Sequence, residues 1–160
     1  MTNMKGGVRV FRVDEALAGQ WSDSERRVVE RGAVTKFARA LGLTAPIHYD
    51  TEAARCAGYQ DVAAPPTFAV TLLPWKIPGV DLPAAGVLHG EQEFEWGEPL
   101  CAGDVVTVRG RLEDVKTRTG QQGRMSILSI VSEAHHESGG MAFRARAMLI
   151  VTEEGEHASR

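Results

Sequence analysis

The feature that most constrains this chain is a change of period at Gly86. Downstream of it, apolar and polar residues alternate with the two-residue repeat of a strand that buries one face. Over residues 86–96, Val87, His89, Glu91, Glu93 and Glu95 alternate with Leu88, Gly90, Gln92, Phe94 and Trp96. Asp104–Leu112 sets Val106, Val108 and Leu112 against Arg109 and Arg111. Arg124–Ala134 is apolar at both parities, with Met125, Ile127 and Val131 alternating with Leu128 and Ile130. Such a segment is expected to be covered on both sides. Met141–Val151 opposes Phe143, Ala145, Ala147 and Leu149 to Arg144 and Arg146. Between these segments, Thr119–Gly123 and Glu137–Gly140 carry the glycine and polar residues that hairpins use.

Upstream of Gly86 the period is helical. Val29, Ala33, Phe37 and Leu41 recur at helical spacing, and Ser22-Asp23-Ser24-Glu25 has the form of a capping box. The pattern predicts an amphipathic helix over residues 24–41, stopped at Gly42. Asp50 is placed to cap a second short helix over Thr51–Ala57, with Gly58 as its stop. Pro66 suits the first turn of a third helix, Thr67 to about Leu73, which is apolar nearly all round and therefore expected to be buried. Pro74, Pro78 and Pro83 exclude regular structure beyond it. Val8, Val10 and Val13 suggest a short first strand or arm. Helices followed by a run of antiparallel strands predict an α+β domain, one sheet wrapped on a buried helix.

The 160 residues fit one domain, here residues 1–152, with a polar tail at 153–160 that is expected to be loose. A net charge of -3, with Lys and Arg scattered, argues against a nucleic-acid or membrane-surface partner. No apolar run reaches the roughly 18 residues of a membrane span. Two cysteines, Cys56 and Cys101, are too few for a disulfide framework or a cysteine zinc site. Reduced thiols in a cytoplasmic protein are the expectation. The five histidines show no metal-ligand spacing, and no cofactor is expected.

Three segments, in order, resemble the MaoC-like dehydratase/hydratase superfamily, in its N-terminal, fatty-acid-synthase-type branch. They are Phe37 to Asp50, Ala64-Pro65-Pro66-Thr67-Phe68, and Leu88-His89-Gly90 through Trp96, closed by Pro99-Leu100 and Ala102-Gly103-Asp104. The resemblance implies a hot-dog fold, in which an antiparallel sheet wraps a long central helix, here the one starting at Pro66. It also implies an acyl-CoA or acyl-carrier-protein thioester as ligand. Paired domains that share one sheet are implied as well, either as a homodimer or as a heterodimer with a catalytic MaoC-like subunit.

Active members of that family carry Gly-Asp-x-Asn-Pro-Ile/Leu-His, and their Asp and His add water reversibly across an enoyl thioester. Such chemistry needs an acid and a base within reach, and donors aimed at the thioester oxygen. The matching stretch here is Gly42-Leu43-Thr44-Ala45-Pro46-Ile47-His48. His48 keeps the His, but Leu43 stands at the Asp position and Ala45 at the Asn. Asp50 is committed to capping. The resemblance therefore implies a subunit without the full dyad, acting beside a catalytic partner. A self-sufficient hydratase using His48 and a thioester-binding or thioesterase-like protein are the alternatives.

Further candidates carry two readings each. His48 is either a general acid–base or a structural ring bonded to backbone. Pro66, Thr67 and Phe68 open the third helix, where backbone N–H groups can reach a thioester oxygen or simply cap and pack. Phe68, Leu72, Leu73 and Trp75 suit an acyl-tunnel wall or plain core. His89, beside Gly90, lines the site or lies on the sheet surface. Arg109, Arg111, Arg144 and Arg146 form a solvated face or draw in a phosphate. His135-His136 is expected to be solvated near a hairpin end.

Overall fold

The computed structural model describes residues 11–120 and 123–153. Val8 and Val10, and the tail beyond Glu153, lie outside the described residues. The four alternating segments become long antiparallel strands: β4 (Val87–Trp96), β5 (Val105–Gly120), β6 (Gly123–His136) and β7 (Met141–Glu153). With β2 (Glu25–Val28) they form a five-stranded sheet in the order β2-β5-β6-β7-β4. A separate two-stranded ribbon pairs β1 (Arg12–Val13) with β3 (Val80–Asp81). β5 runs eight residues past the predicted end at Leu112, because its partner β6 continues and a bulge between Leu112 and Asp114 restores the facing.

Register sorts the side chains onto two faces. Val106, Val108, Leu112, Leu128, Ala134, Phe143, Ala145 and Val151 point inward and are buried. The inner face carries two apolar clusters. One joins Val106, Val108, Phe143 and Ala145 to Val34, Phe68 and Leu72; the other joins Leu112, Leu128, Ile130 and Val151 to Phe11.

The outer face is a charged ladder. Arg109 donates to Glu133 from Nε at 2.8 Å and also from its terminal nitrogen, and Arg144 lies 3.7 Å from the same carboxylate. Arg146 and Arg111 sit 3.0 and 4.0 Å from Glu113. Trp21 lies under both Arg109 and Arg111, at 4.5 and 4.8 Å from ring centroid to guanidinium. The four arginines are thus engaged within the chain rather than simply solvated. Val131 is buried on this outer face between Arg111 and Arg146 in register. Long arginine stems shade it without a second layer.

Besides the short strand β3, which lies in the proline-bounded stretch expected to lack regular structure and pairs with β1, the helical half departs from the sequence pattern in two places. The helix expected over residues 24–41 is split. Glu25–Val28 is strand β2, paired with Val105–Val108 of β5, and only α1 (Arg31–Ala40) is helical. The Ser22 hydroxyl accepts the Gly110 N–H at 3.1 Å, so it ties the chain to the sheet instead of capping a helix. Sheet pairing has overridden a local signal that the charged Glu25-Arg26-Arg27 stretch left weak. α1 buries Val34 and Ala38 and partly buries Phe37, whereas Ala33 and Leu41 of the expected apolar stripe are exposed, because the strand at Glu25–Val28 resets which face the helix turns to the sheet.

The second correction concerns the helix from Pro66. It is a seven-residue 3-10 segment, Pro66–Leu72, stopped ahead of Pro74, and not a long central helix. It does bury Phe68, Ala69 and Leu72. The loop beyond it lies on the sheet at Gly110, where a Cβ would come within 2.4 Å of Ile77 and 2.8 Å of Pro74. The missing side chain of Gly110 leaves the space that the Ile77 and Pro74 side chains fill. α2 (Thr51–Cys56) is where the pattern put it, with the Asp50 carboxylate accepting the Ala53 N–H at 2.7 Å. No helix among the described residues is long and apolar enough to cross a membrane.

Candidate functional site

His48 closes a 3-10 turn, Pro46–His48, and is 8% exposed. Its Nδ1 lies 2.7 Å from the carbonyl oxygen of Ala63. A carbonyl only accepts, so Nδ1 carries a proton and donates, which leaves Nε2 as the ring nitrogen available for proton transfer. The carbonyl is itself held in place. Ala63 N–H donates to Ile47 O at 2.9 Å, Ala64 N–H to Leu100 O at 2.8 Å, and Ala102 N–H to Val62 O at 2.8 Å.

Asp61 fastens this segment to the helices. Its carboxylate accepts the Val62 N–H at 2.6 Å, the Thr51 hydroxyl at 3.3 Å, and a hydrogen bond from Arg31. The Val62 N–H foremost holds the Asp61 pKa below its ordinary value; burial opposes it, and Arg31 and Thr51 add to the lowering.

The ring lines a cavity of about 420 Å³. Its walls are Ile47, Ala63, Ala64, Pro65 and Pro66 on one side, and Trp96, Gly97, Pro99, Leu100 and Ala142 on the other. Two further residues with polar side chains line it, Tyr59 and Glu98. Gly97 fixes the floor. A Cβ there would lie 1.9 Å from the Met141 carbonyl oxygen, so β4 and β7 meet at this point only through a glycine. Trp96 stacks on Phe94 with centroids 4.7 Å apart, and Phe94 meets Phe143 edge-on at 5.9 Å. The aromatic wall is thereby anchored in the core.

Of the residues singled out in the sequence, the fold gathers His48 and Pro66 at this cavity. Phe68 and Leu72 sit behind it in the core, Phe68 edge-on to Phe37 at 5.5 Å. Thr67 is exposed and is not part of the wall. Trp75 stands apart. It is 81% exposed, with Arg27 5.6 Å from its ring centroid and its N–H bonded to Glu25 at 3.1 Å. His89 and Gly90 are exposed at the β4 bulge, away from the His48 cavity. Leu43 is 36% exposed, its carbonyl accepts the Tyr49 hydroxyl, and it does not line the cavity.

Sequence reasoning missed Tyr59 and Glu98. Both lie in loops with no periodicity, and only the fold brings them to His48. It also misplaced His136. That ring is in β6, not solvated, with Nδ1 3.8 Å from Asp104 and Nε2 buried without a partner. It borders a second cavity, of about 510 Å³, which shares Tyr59, Glu98 and Pro99 with the first.

Comparison with known proteins returns the same scaffold. Residues 16–145 match the family model of the FAS1-like dehydratase domain region. A UPF0336 protein of Streptomyces griseus is 35% identical over 145 residues, covering 86% of this chain and 94% of the relative. Among solved structures, a C-terminally truncated HadBC (3R-hydroxyacyl-ACP dehydratase) complex from Mycobacterium tuberculosis is similar at TM-score 0.67 and 22% identity. That match covers 84% of this chain and 96% of the other. A MaoC-like dehydratase from Rhodospirillum rubrum is similar at TM-score 0.66 and 22% identity, with 89% and 98% covered. The strand order and the shared core are those of a hot-dog fold.

Proposed function

We propose, for a chain that belongs to the FAS1-like dehydratase-region family, that it is one subunit of an enoyl-thioester hydratase/dehydratase. It binds an acyl-CoA or acyl-carrier-protein thioester beside His48 and works with a second hot-dog subunit that supplies the missing carboxylate. The observation that carries this reading is the separation of Leu43 from the cavity that His48 lines. A leucine moves no proton, and this one does not border the site.

In the hydration direction, a base takes a proton from water as the water oxygen bonds to C3 of the enoyl chain. The C2=C3 electron pair moves toward the thioester oxygen as an enolate, and an acid returns a proton to C2. His48 Nε2 suits one of these transfers, and the partner's carboxylate the other. The similarity to a dehydratase complex supports a two-subunit arrangement. So does the position of the cavity at the end of β4, which is a free edge of the sheet. The reading assigns the chain to the cytoplasm, in keeping with the unbonded thiols of Cys56 and Cys101.

The test is loss of the conjugated-enoyl absorbance of trans-2-enoyl-CoA. The chain alone is expected to be inactive. Mixed with a MaoC-like subunit carrying Asp and His, it is expected to raise turnover, and His48→Ala to reduce that gain at least tenfold. Absence of both a complex and turnover with every such subunit would sink the reading.

Glu98 favours a second reading. Glu98 is a lining residue of the His48 cavity, and its carboxylate is seated against Gly140, where a Cβ would lie 2.2 Å from Oε1. A self-sufficient hydratase would use His48 and Glu98 together. Turnover by the isolated chain that Glu98→Gln abolishes would establish it over the first.

A further inference from the structure

We infer that the acidic outer stripe of β4 selects the partner subunit, rejecting a second copy of this chain and accepting a hot-dog edge strand that carries Lys or Arg. The inference rests on the two-subunit reading above and specifies its partner. β4 is an edge strand ten residues long, hydrogen-bonded on one side to β7 and, among the described residues, paired with no strand on the other. Past the bulge at Gly90, Glu91, Glu93 and Glu95 all project from the outer face and are exposed. Among the described residues, none of the three has a cation within 4.0 Å. Their cross-strand neighbours Arg146 and Arg144 are drawn instead toward Glu113 and Glu133.

Antiparallel pairing decides what these three carboxylates meet. Residues opposite each other across a strand pair share a face, and their Cβ atoms lie roughly 5 Å apart. If two copies paired along β4 with their faces aligned, residue numbers of opposed pairs would add to a constant even sum. Centred on Glu93, the pairing opposes Glu91 to Glu95, Glu93 to Glu93, and Glu95 to Glu91. A shift by two residues in either direction still opposes two Glu pairs, and a shift by four still opposes one. A register that keeps this stretch paired cannot avoid the clash. Like charges directly opposite destabilise a pair, and opposite charges stabilise it. The same six positions filled by three Glu and three Lys or Arg would attract.

The chain supplies its own probe. The wild type and a Glu91→Lys/Glu93→Lys/Glu95→Lys variant are tagged differently, mixed, and followed by sedimentation velocity at low and high salt. The mixed dimer is expected to outweigh either homodimer by roughly tenfold to a hundredfold, from three reversed pairs. Salt should weaken the mixed dimer and strengthen wild-type self-association, because screening removes attraction and repulsion alike. A Glu91→Gln/Glu93→Gln/Glu95→Gln variant, close to isosteric and on exposed positions, should self-associate more tightly than the wild type and lose the salt response.

The inference is overturned if wild type and Gln variant self-associate within twofold of each other. It is overturned equally if the mixed dimer has no advantage, or if wild-type association ignores salt. These outcomes are read from assembly alone, so they are separate from the turnover assay that tests the two-subunit reading.

Discussion

The two edges of the sheet are finished in different ways. β2 is four residues long, and its charged side chains are tied down within the chain. Arg27 pairs with Glu25, Arg26 lies 3.3 Å from Glu137, and the Trp75 N–H donates to Glu25. β4 is ten residues long, and no described strand pairs with its outer side. A short, charged edge offers little for a further strand to pair with. A long open edge leaves pairing available, and its side chains decide with what. The cavity at His48 lies at the end of the open edge, through Trp96, Gly97 and Glu98. The contrast leaves β4 as the edge that the proposed two-subunit reading would use for assembly beside the site.

The largest effect on this contrast is expected at Gly97. A Cβ 1.9 Å from the Met141 oxygen must push β4 from β7. Gly97→Ala should cost about 3 kcal/mol, the upper part of the range for overpacking. Urea unfolding measures the loss, and binding at the His48 cavity should fall with it. A cost below about 1 kcal/mol would show that β4 is not seated as described.

Next comes Phe94→Ala, which removes the anchor that stacks on Trp96 and meets Phe143. Phe94 is only partly buried, so about 2 kcal/mol is expected, less than for a fully buried ring. Near-neutral stability would mean that the aromatic wall is held from elsewhere.

At the β2 edge the corresponding change should be small. Trp75 is 81% exposed, and Trp75→Ala removes chiefly its contact with Arg27. About 0.5 kcal/mol is expected, with no change in self-association. Enhanced dimer formation in this variant would show that Trp75 shields β2, and would make that edge a second interface.

The smallest effect is confined to acid. The folded pKa of Asp61 is lowered by the Val62 N–H, Arg31 and Thr51. Its stabilising contribution is therefore complete above the unfolded value near 3.8 and is lost as pH falls through the folded value below it. Asp61→Asn should lower the melting temperature by a constant amount at neutral pH, and the gap should close below about pH 4. A gap independent of pH would show that the Asn change acts through packing alone. Neither edge should respond, since Asp61 braces the segment behind His48.

Legibility followed the physical range of each signal. β4 and β7 were read within a residue or two of their ends, because alternation of buried and exposed side chains is a local pattern with a fixed period. The α2 cap at Asp50 was equally plain, since a cap and its helix are adjacent in sequence. Glu25–Val28 was misread because its conformation is set by hydrogen bonds to Val105–Val108, about eighty residues away. The Pro66 segment was correctly read as buried, but its length was not legible. Pro74 and the close seat at Gly110 hold it to two short turns. At the site, the motif itself exposed the loss of Asp at Leu43. Nothing local pointed to Tyr59 or Glu98, which come from two loops and meet only when Ala64 bonds to Leu100.

The sequence by itself determined the family and the antiparallel sheet, and its resemblance to the family motif put Leu43 where a carboxylate is expected. Each of these is written in residue type and spacing along one stretch of chain. Only the tertiary structure decided that Leu43 lies outside the cavity and that His48 is fixed by a backbone carbonyl. It alone showed that three glutamates line a free edge. Those properties depend on which segments become neighbours, and that is settled by the packing of the whole sheet.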